Sequence, residues 1–164
     1  TAGRANENRR IKLWLDLLIA TASQSATSQI SGRLVSKDDV LMRAPDQALA
    51  IRLLSELVCL RHAGKQQVVP LPVKAARVQA QPLRPYQDAE VRSAWLGARK
   101  NDIPGEREDP YWKHFFPVAT ELFEAVSHPD DPISYRSTSP APRRFVQLSR
   151  WLFDPMNAHE RHDA

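Results

Sequence analysis

Three acidic side chains lie close together in this sequence and could do chemistry: Glu106, Glu108 and Asp109. Carboxylates at such spacing can bind Mg²⁺, and one class of metal-dependent nuclease pairs them with a lysine that positions the attacking water. Such a nuclease carries an Asp at the start of one strand and Glu-x-Lys or Asp-x-Lys on the next. Neither tripeptide occurs in the chain. We therefore interpret the acidic cluster as part of a loop that leads into a helix.

Other catalytic patterns are missing from the sequence as well. It contains no Gly-x-x-x-x-Gly-Lys-Ser/Thr phosphate loop and no Gly-x-Ser-x-Gly nucleophile motif. The single cysteine, Cys59, falls in an apolar helical stretch and is predicted to be a small core residue. His62 is expected in the last turn of the same helix, where a cation suits the helix dipole. We expect no catalytic residue, metal ligand or cofactor-binding residue in this chain.

Two pairs of possible metal ligands have simpler structural explanations. Asp38 and Asp39 suit a turn, and no histidine or further carboxylate stands near them in the sequence. His159 and His162 are three positions apart, but residues 157–164 are polar and are predicted to form a disordered tail. Such a tail would give the two imidazoles no supporting shell.

Composition indicates a globular protein with a mild positive charge. The chain has 164 residues, 42% of them hydrophobic and 26% charged, and a net charge of +4. The basic residues are scattered, so the charge permits contact with nucleic acid without requiring it. One cysteine allows no internal disulfide, which suits a reducing cytoplasm, and no apolar run approaches the length of a membrane helix.

Most of the chain has the periodicity of amphipathic helices. The first is predicted from Arg9 and is apolar around much of its circumference, with Trp14 near its centre. Such a helix suits the middle of a domain, so its place at the start suggests that the chain is part of a longer protein. A second helix is predicted from Asp46 to Gly64. Further helices are predicted over 74–80, 87–99, 121–126 and 143–153, with Asp154 and Pro155 ending the last.

The remaining stretches predict a small amount of strand and one linker. Loose alternation over residues 28–43, with a turn at Asp38 and Asp39, predicts a β-hairpin. Two prolines in residues 68–73 favour an extended connector over a central strand. Residues 128–142 contain four prolines with several Ser, Thr and Asp residues, which is typical of a surface linker.

The segment from Gly97 to Phe116 combines two of the five glycines with a charged run and an aromatic cluster. Asp109 can cap a helix, and Pro110 suits its first turn because no N–H is needed there. Pro117 should end or kink that helix. Aromatic residues at helical spacing are predicted to pack inward, although stacking of Tyr111 and Trp112 on nucleic-acid bases is the alternative. The cluster comprises Tyr111, Trp112, Phe115 and Phe116.

Three pieces of the sequence together resemble one known family. They are Arg10-Ile-Lys-Leu-Trp-Leu-Asp-Leu-Leu, Pro70-Leu-Pro-Val-Lys-Ala-Ala, and Ala94-Trp-Leu-Gly followed by Gly105-Glu-Arg-Glu-Asp-Pro-Tyr-Trp. Their order and spacing resemble the C-terminal end of RecC, the gamma chain of exodeoxyribonuclease V. The likeness covers residues 9–126, with residues 128–142 as an apparent insertion and Trp151–Met156 as a match to the closing helix. The residues that carry it are Trp14, Trp95, Gly97, Gly105, Glu106, Asp109, Pro110, Tyr111 and Trp112.

The resemblance implies a fold and a function. The fold would be α+β, predominantly helical with a small β-hairpin, as the later part of an inactive restriction-endonuclease-like (PD-(D/E)XK) domain. Residues 1–126 would belong to that domain, 127–142 to a proline-rich linker, and 143–164 to a terminal helix and tail. The family's C-terminal domain lacks nuclease activity, helps bind double-stranded DNA ends, and docks against RecB-like and RecD-like motor subunits in a bacterial helicase–nuclease that processes double-strand breaks.

Two other interpretations of the sequence stay open. The chain could be a stand-alone protein-interaction module whose basic residues only solvate its surface, or a divergent nuclease. If the chain contacts DNA, we expect the contacts at the first and last helices, where basic residues are close together in the sequence. The DNA-contact candidates are Arg9, Arg10, Lys12, Arg143 and Arg144.

Overall fold

The computed structural model describes residues 6–24, 29–36, 39–82, 85–98, 103–126, 131 and 143–162. These residues are mostly helical, with two small antiparallel sheets. The predicted α+β class is therefore confirmed, whereas the described strands do not establish a restriction-endonuclease-like core. The chain divides into two compact units: Thr1–Val58 with Pro155–Ala164, and Cys59–Asp154.

Helix α1 and a β-hairpin form much of the first unit. Helix α1 (Glu7–Ser23) begins after Asn6, whose side chain accepts a hydrogen bond from the Arg9 amide at 2.9 Å. Its apolar stripe buries Trp14, as its spacing predicts. Strands β1 (Ser31–Leu34) and β2 (Val40–Arg43) pair antiparallel, with Ser31 opposite Arg43, so the predicted hairpin is confirmed.

The hairpin belongs to a three-stranded sheet with β2 in the middle, and the third strand comes from the far end of the described chain. Strand β5 (Glu160–His162) pairs antiparallel with β2, placing Glu160 opposite Met42. The prediction of a disordered tail over 157–164 is therefore wrong for the described residues 157–162. Backbone pairing with β2 supplies hydrogen bonds that the composition of this short polar stretch does not reveal.

The last helix, α7 (Arg144–His159), continues through Pro155 although the sequence predicts that it ends there. A proline inside a helix costs roughly 3 kcal/mol. Fully burying one large apolar side chain contributes roughly 1.5–3 kcal/mol. Phe153 and Met156, which flank Pro155, are both fully buried. Their burial offsets the lost hydrogen bond, so the helix runs on to His159, whose ring packs against Trp14 at a centroid distance of 5.5 Å.

Helix α2 (Gln47–Ala63) begins and ends where the sequence predicts. Asp46 caps it by accepting a hydrogen bond from the Leu49 amide at 2.8 Å, and Gly64 follows its last residue. The prediction that Cys59 belongs to the core is wrong, because its side chain is exposed. The buried face of α2 follows Leu53 and Leu60, and Cys59 points away from that face.

Short helices dominate the second unit: α3 (Val73–Gln79), α4 (Gln87–Leu96), α5 (Pro110–Phe115) and α6 (Glu121–Glu124). The predicted helix restart after Pro117 is confirmed by α6. Buried Gln87 joins α4 to the end of α3, since its Nε2 donates to the carbonyl oxygens of Val78, Gln79 and Gln81 at 3.1, 3.0 and 3.0 Å. Such bonds supply acceptors at a helix end with donors, and the Val78 carbonyl also accepts a hydrogen bond from the Gln81 amide at 3.2 Å.

Ionisation of the Asp154 carboxyl is expected to lower the free energy of unfolding by a small amount that depends on pH. Partial burial raises the pKa of its carboxyl, and nearby Arg150 opposes the shift. A raised folded-state pKa means that ionisation costs stability above that pKa, and that the cost disappears below the unfolded value. Asp154→Asn should therefore raise the Tm at pH 7 by no more than about 2 °C. Melting curves from pH 7 to pH 4 should show this gain shrinking, and a gain that grows on acidification would contradict the burial argument.

Candidate functional site

The segment Gly97–Phe116 begins with a tight crossing of two backbone stretches. Strand β3 (Gly97–Ala98) pairs antiparallel with β4 (Ile103–Pro104). Gly97 has a φ of 89°, a left-handed conformation that side chains disfavour. A Cβ on Gly105 would overlap the Trp95 carbonyl oxygen and the Gly97 amide nitrogen. Both glycines are therefore required by the backbone geometry of this crossing.

The acidic part of the segment forms the helix start that the sequence predicts. A 3₁₀ turn, Glu106–Glu108, leads to Asp109, whose Oδ1 accepts a hydrogen bond from the Tyr111 amide at 2.8 Å. Pro110 occupies the first turn of α5. Both the cap and the proline position are thereby confirmed.

The aromatic cluster of the segment divides into an inner and an outer pair. Trp112 and Phe116 pack edge-on against buried Trp95, with ring centroids 6.0 and 6.3 Å away. Trp95 is further fixed because its Nε1 donates to the Ala119 carbonyl oxygen at 3.0 Å. By contrast, Tyr111 and Phe115 are 51% and 42% exposed. The prediction of inward packing therefore holds for the first pair and is wrong for the second, which lies on the outer face of α5.

Glu106 has a structural partner that the sequence does not reveal. Its two carboxylate oxygens accept hydrogen bonds from the Lys74 and Ala75 amides at 2.9 and 2.8 Å. These amides lie in the first turn of α3, which begins after Pro72 and has no side-chain cap of its own. A carboxylate there satisfies free N–H groups and meets the positive end of the helix dipole. The missing local cap was the only hint in the sequence that a distant residue supplies one.

Glu106→Ala should destabilise the protein because it removes this cap. We expect a loss of about 1–2 kcal/mol. For a chain of this size that loss corresponds to a fall in Tm of roughly 3–6 °C. Thermal melting followed by circular dichroism measures the loss, and faster hydrogen exchange at the Lys74 and Ala75 amides locates it.

Glu108→Ala is the matched control for this cap. Glu108 lies in the same turn but is exposed, and the Lys113 ammonium, 2.7 Å away, lowers the pKa of its carboxyl. Exposed pairs of this kind contribute little to stability. Equal losses of Tm in Glu106→Ala and Glu108→Ala would contradict the assigned role of Glu106.

Among the described residues, no group of three His, Cys, Asp or Glu side chains could hold a metal ion.

Two of the five predicted DNA-contact residues are internal. Arg10 is 8% exposed and forms an ion pair with Glu160, which joins α1 to β5. Arg144 is 6% exposed, and its guanidinium donates to both carboxylate oxygens of Asp131 at 2.9–3.0 Å. Their burial weighs against DNA contact at these two residues, because a phosphate would have to displace a buried acidic partner. The sequence did not reveal this, since each partner lies at a distance along the chain that no local pattern marks.

The other three predicted DNA-contact residues are exposed. Arg9 and Lys12 lie one turn apart on α1, where Lys12 pairs with Asp16 at 2.8 Å. This pair is open to solvent, so the lysine can exchange its partner at little cost. Arg143 immediately precedes α7, and its backbone pairs with that of Val126. The five basic residues thus differ in exposure, with three at the surface and two inside.

The Asp–Asp turn is only partly described. Asp38 lies outside the described residues, whereas Asp39 binds Arg33 through its Oδ2 and accepts a hydrogen bond from the Ser36 amide at 3.3 Å. The hydrogen bond from Arg33 is the main cause of a lowered pKa at Asp39. Asp39 therefore has a structural function in the turn of the hairpin.

The chain is thus a mostly helical α+β protein in which the polar residues described above cap helices or form ion pairs. Comparison with known families gives a match between residues 1–83 and the model described as the RecC C-terminal domain. The chain belongs to the RecC C-terminal domain family, which supports a part in DNA repair and recombination. No curated protein and no solved structure is significantly similar to the chain.

The family match covers two of the three pieces that carry the resemblance. The helix that contains Trp14 and the piece Pro70–Ala76 both fall within residues 1–83. The Gly97–Phe116 segment lies outside the matched residues, so its status as a family signature stays a prediction. None of the helices in the described part of the chain is both long enough and apolar enough to cross a membrane.

Proposed function

We propose that this chain is a non-catalytic part of a RecC subunit, the gamma chain of a bacterial helicase–nuclease that processes double-strand DNA breaks in the cytoplasm. The match to the RecC C-terminal domain over residues 1–83 is the observation that carries the proposal. Its partners would be RecB-like and RecD-like motor subunits together with double-stranded DNA ends. The chain would form the later part of an inactive restriction-endonuclease-like domain.

In this proposal, helix α1 makes the contact with DNA. Arg9 and Lys12 are exposed one turn apart, so one phosphate backbone can reach both cations. Arg10, between them, is held inside by Glu160 and leaves the outer face to its neighbours. Contacts with phosphate would position DNA without reading its sequence, which is what a subunit that accepts any broken end requires.

Duplex-end binding across a salt series tests the DNA-contacting part. The affinity should fall with salt, and the Arg9→Gln/Lys12→Gln double variant should reduce the log–log slope by about 2, since each phosphate contact contributes about one unit. Arg52→Gln, which changes an exposed arginine on α2, is the matched control and should leave the slope unchanged. Absence of salt-dependent binding would contradict DNA contact. Cleavage that requires Mg²⁺ or Mn²⁺ would instead favour the divergent-nuclease interpretation.

Partner docking forms the second part of the proposal. The exposed aromatic pair on α5, Tyr111 and Phe115, has its rings 4.9 Å apart and offers the kind of surface that protein interfaces favour. Co-purification of the chain with RecB-like and RecD-like subunits tests docking, and Tyr111→Ser/Phe115→Ser should weaken it. The same pair would serve a stand-alone interaction module, the alternative function. Capture of neither motor subunit, together with no DNA binding, would favour that alternative.

A further inference from the structure

Two neighbouring cavities in the second unit share an arginine-lined aromatic surface. The larger has a volume of about 310 Å³ and the smaller about 120 Å³. Both are lined by Arg92 of α4, Phe123 of α6 and Arg143 before α7. We call this surface the Arg92–Arg143 pocket. Three separate elements therefore bring two cations and one ring to the same concave site.

Neither guanidinium in the Arg92–Arg143 pocket has an acidic partner in the described part of the chain. Arg92 lies over the Phe123 ring, with its Cζ 5.6 Å from the ring centroid, and no ion pair or side-chain hydrogen bond is found for Arg143. Arg144, the next residue, shows the contrast, because Asp131 neutralises it inside the protein. Two unneutralised guanidinium groups at one concavity favour an anionic ligand.

The pocket is held in place by the structure around it. The Arg144 amide donates to the Ala125 carbonyl oxygen at 2.8 Å, and Val126 pairs with Arg143. Phe123 packs edge-on against buried Phe145 at 5.5 Å. The backbone of Arg143 and the Phe123 ring are therefore held in place before a ligand arrives, which reduces part of the entropy that binding would cost.

The lining residues favour a carboxylate over a nucleic acid. Glu124 lines the larger cavity and Asp88 the smaller, and in the described part of the chain neither carboxylate forms a salt bridge with Arg92 or Arg143. These two carboxylates would repel the several negative charges of a phosphate chain more strongly than the single charge of one carboxylate held by the guanidinium groups. Val126 and Phe123 add apolar surface beside the cations. We propose that the pocket binds an acidic side chain of a partner protein, with an apolar residue beside it in the partner's sequence.

This inference rests on the partner-docking part of the proposed function and names the chemistry of one contact. The probe is the capped dipeptide N-acetyl-Asp-Leu-amide, titrated into the chain while the arginine Nε–Hε signals are followed by NMR. Arg92 and Arg143 signals should shift saturably, with a Kd of roughly millimolar. Arg92→Gln or Arg143→Gln should weaken binding roughly tenfold, as loss of one charged hydrogen bond predicts. Arg52→Gln should leave it unchanged.

Three results would overturn the inference. They are no saturable shift, equal binding of N-acetyl-Asn-Leu-amide, or tighter binding of a short oligothymidylate through the same two arginines. The last would reassign the pocket to single-stranded nucleic acid. Because the peptide titration contains no motor subunit and no DNA end, its failure would remove this pocket alone. Failure of co-purification would instead remove the docking role itself, so the two failures are distinguishable.

Discussion

Gly105→Ala should lower the free energy of unfolding by more than about 3 kcal/mol, the upper end of ordinary overpacking costs. The added methyl would overlap backbone atoms of Trp95 and Gly97, which cannot rotate away as a side chain would. Trp95 is fully buried, so moving its carbonyl also disturbs the core around it. Urea unfolding followed by tryptophan fluorescence measures the loss, and low soluble yield with lost near-ultraviolet circular dichroism would report the same effect in an unfolded variant.

Two other glycine substitutions serve as comparisons for Gly105→Ala: Gly97→Ala, which should also destabilise the protein, and Gly64→Ala, which should be tolerated. At Gly97 the φ of 89° and a Cβ only 2.6 Å from the Ile103 carbonyl oxygen both oppose a side chain. At Gly64 the nearest atoms would be 3.3 Å away, and no left-handed backbone is involved. We expect Gly64→Ala to change stability by less than about 1 kcal/mol. A Gly105→Ala protein as stable as Gly64→Ala would refute the close crossing of β3 and β4.

Asp131→Ala should destabilise the protein by about 3–5 kcal/mol, because it leaves the Arg144 charge buried without its carboxylate. Arg144 also donates to the Val68 carbonyl oxygen at 3.1 Å and to Gln67 Oε1 at 3.3 Å, so one guanidinium joins three separate parts of the second unit. Those two neutral acceptors cannot compensate a full positive charge. Thermal or urea unfolding measures the loss.

A double-mutant cycle with Arg144→Met separates the pair from general damage. Each single variant removes one member of the buried ion pair, whereas Asp131→Ala/Arg144→Met removes both charges of the pair. The double variant should therefore lose less than the sum of the two single losses, with a coupling of roughly 1–3 kcal/mol. Arg150→Met, an exposed position on the same helix, is the control and should change stability by less than about 0.5 kcal/mol. Additive losses would show that the two side chains act independently.

Local signals in the sequence were sufficient for most of the elements. Helical spacing and caps placed α1, α2 and α5, and alternation around a turn placed the hairpin. Where the signal was a tertiary contact, sequence reasoning failed. The helix continues through Pro155 because its neighbours are buried, and residues 160–162 become a strand because β2 accepts them. Neither fact is written in the composition of those stretches.

The candidate site was harder to predict than the fold for the same reason. Exposed and buried arginines look alike in a sequence, and what separates Arg143 from Arg144 is the position of Asp131 in space. Glu106 likewise resembles a possible metal ligand until its carboxylate is seen on the Lys74 amide. The same limit applies to the Arg92–Arg143 pocket, because no local pattern in the sequence marks Arg92 as a neighbour of Arg143. Polar function at this level depends on contacts between distant residues.

Strand β5 has a further consequence for the order in which the protein acquires its structure. The first unit needs residues from both ends of the described chain, since Arg10 binds Glu160 across 150 positions. The second unit, Cys59–Asp154, is continuous in sequence. Closing a long loop delays folding, so the continuous unit can fold during synthesis while the other waits for β5. Nascent chains that have not yet exposed residues 160–162 would therefore carry an incomplete sheet, in which β2 lacks its second neighbour.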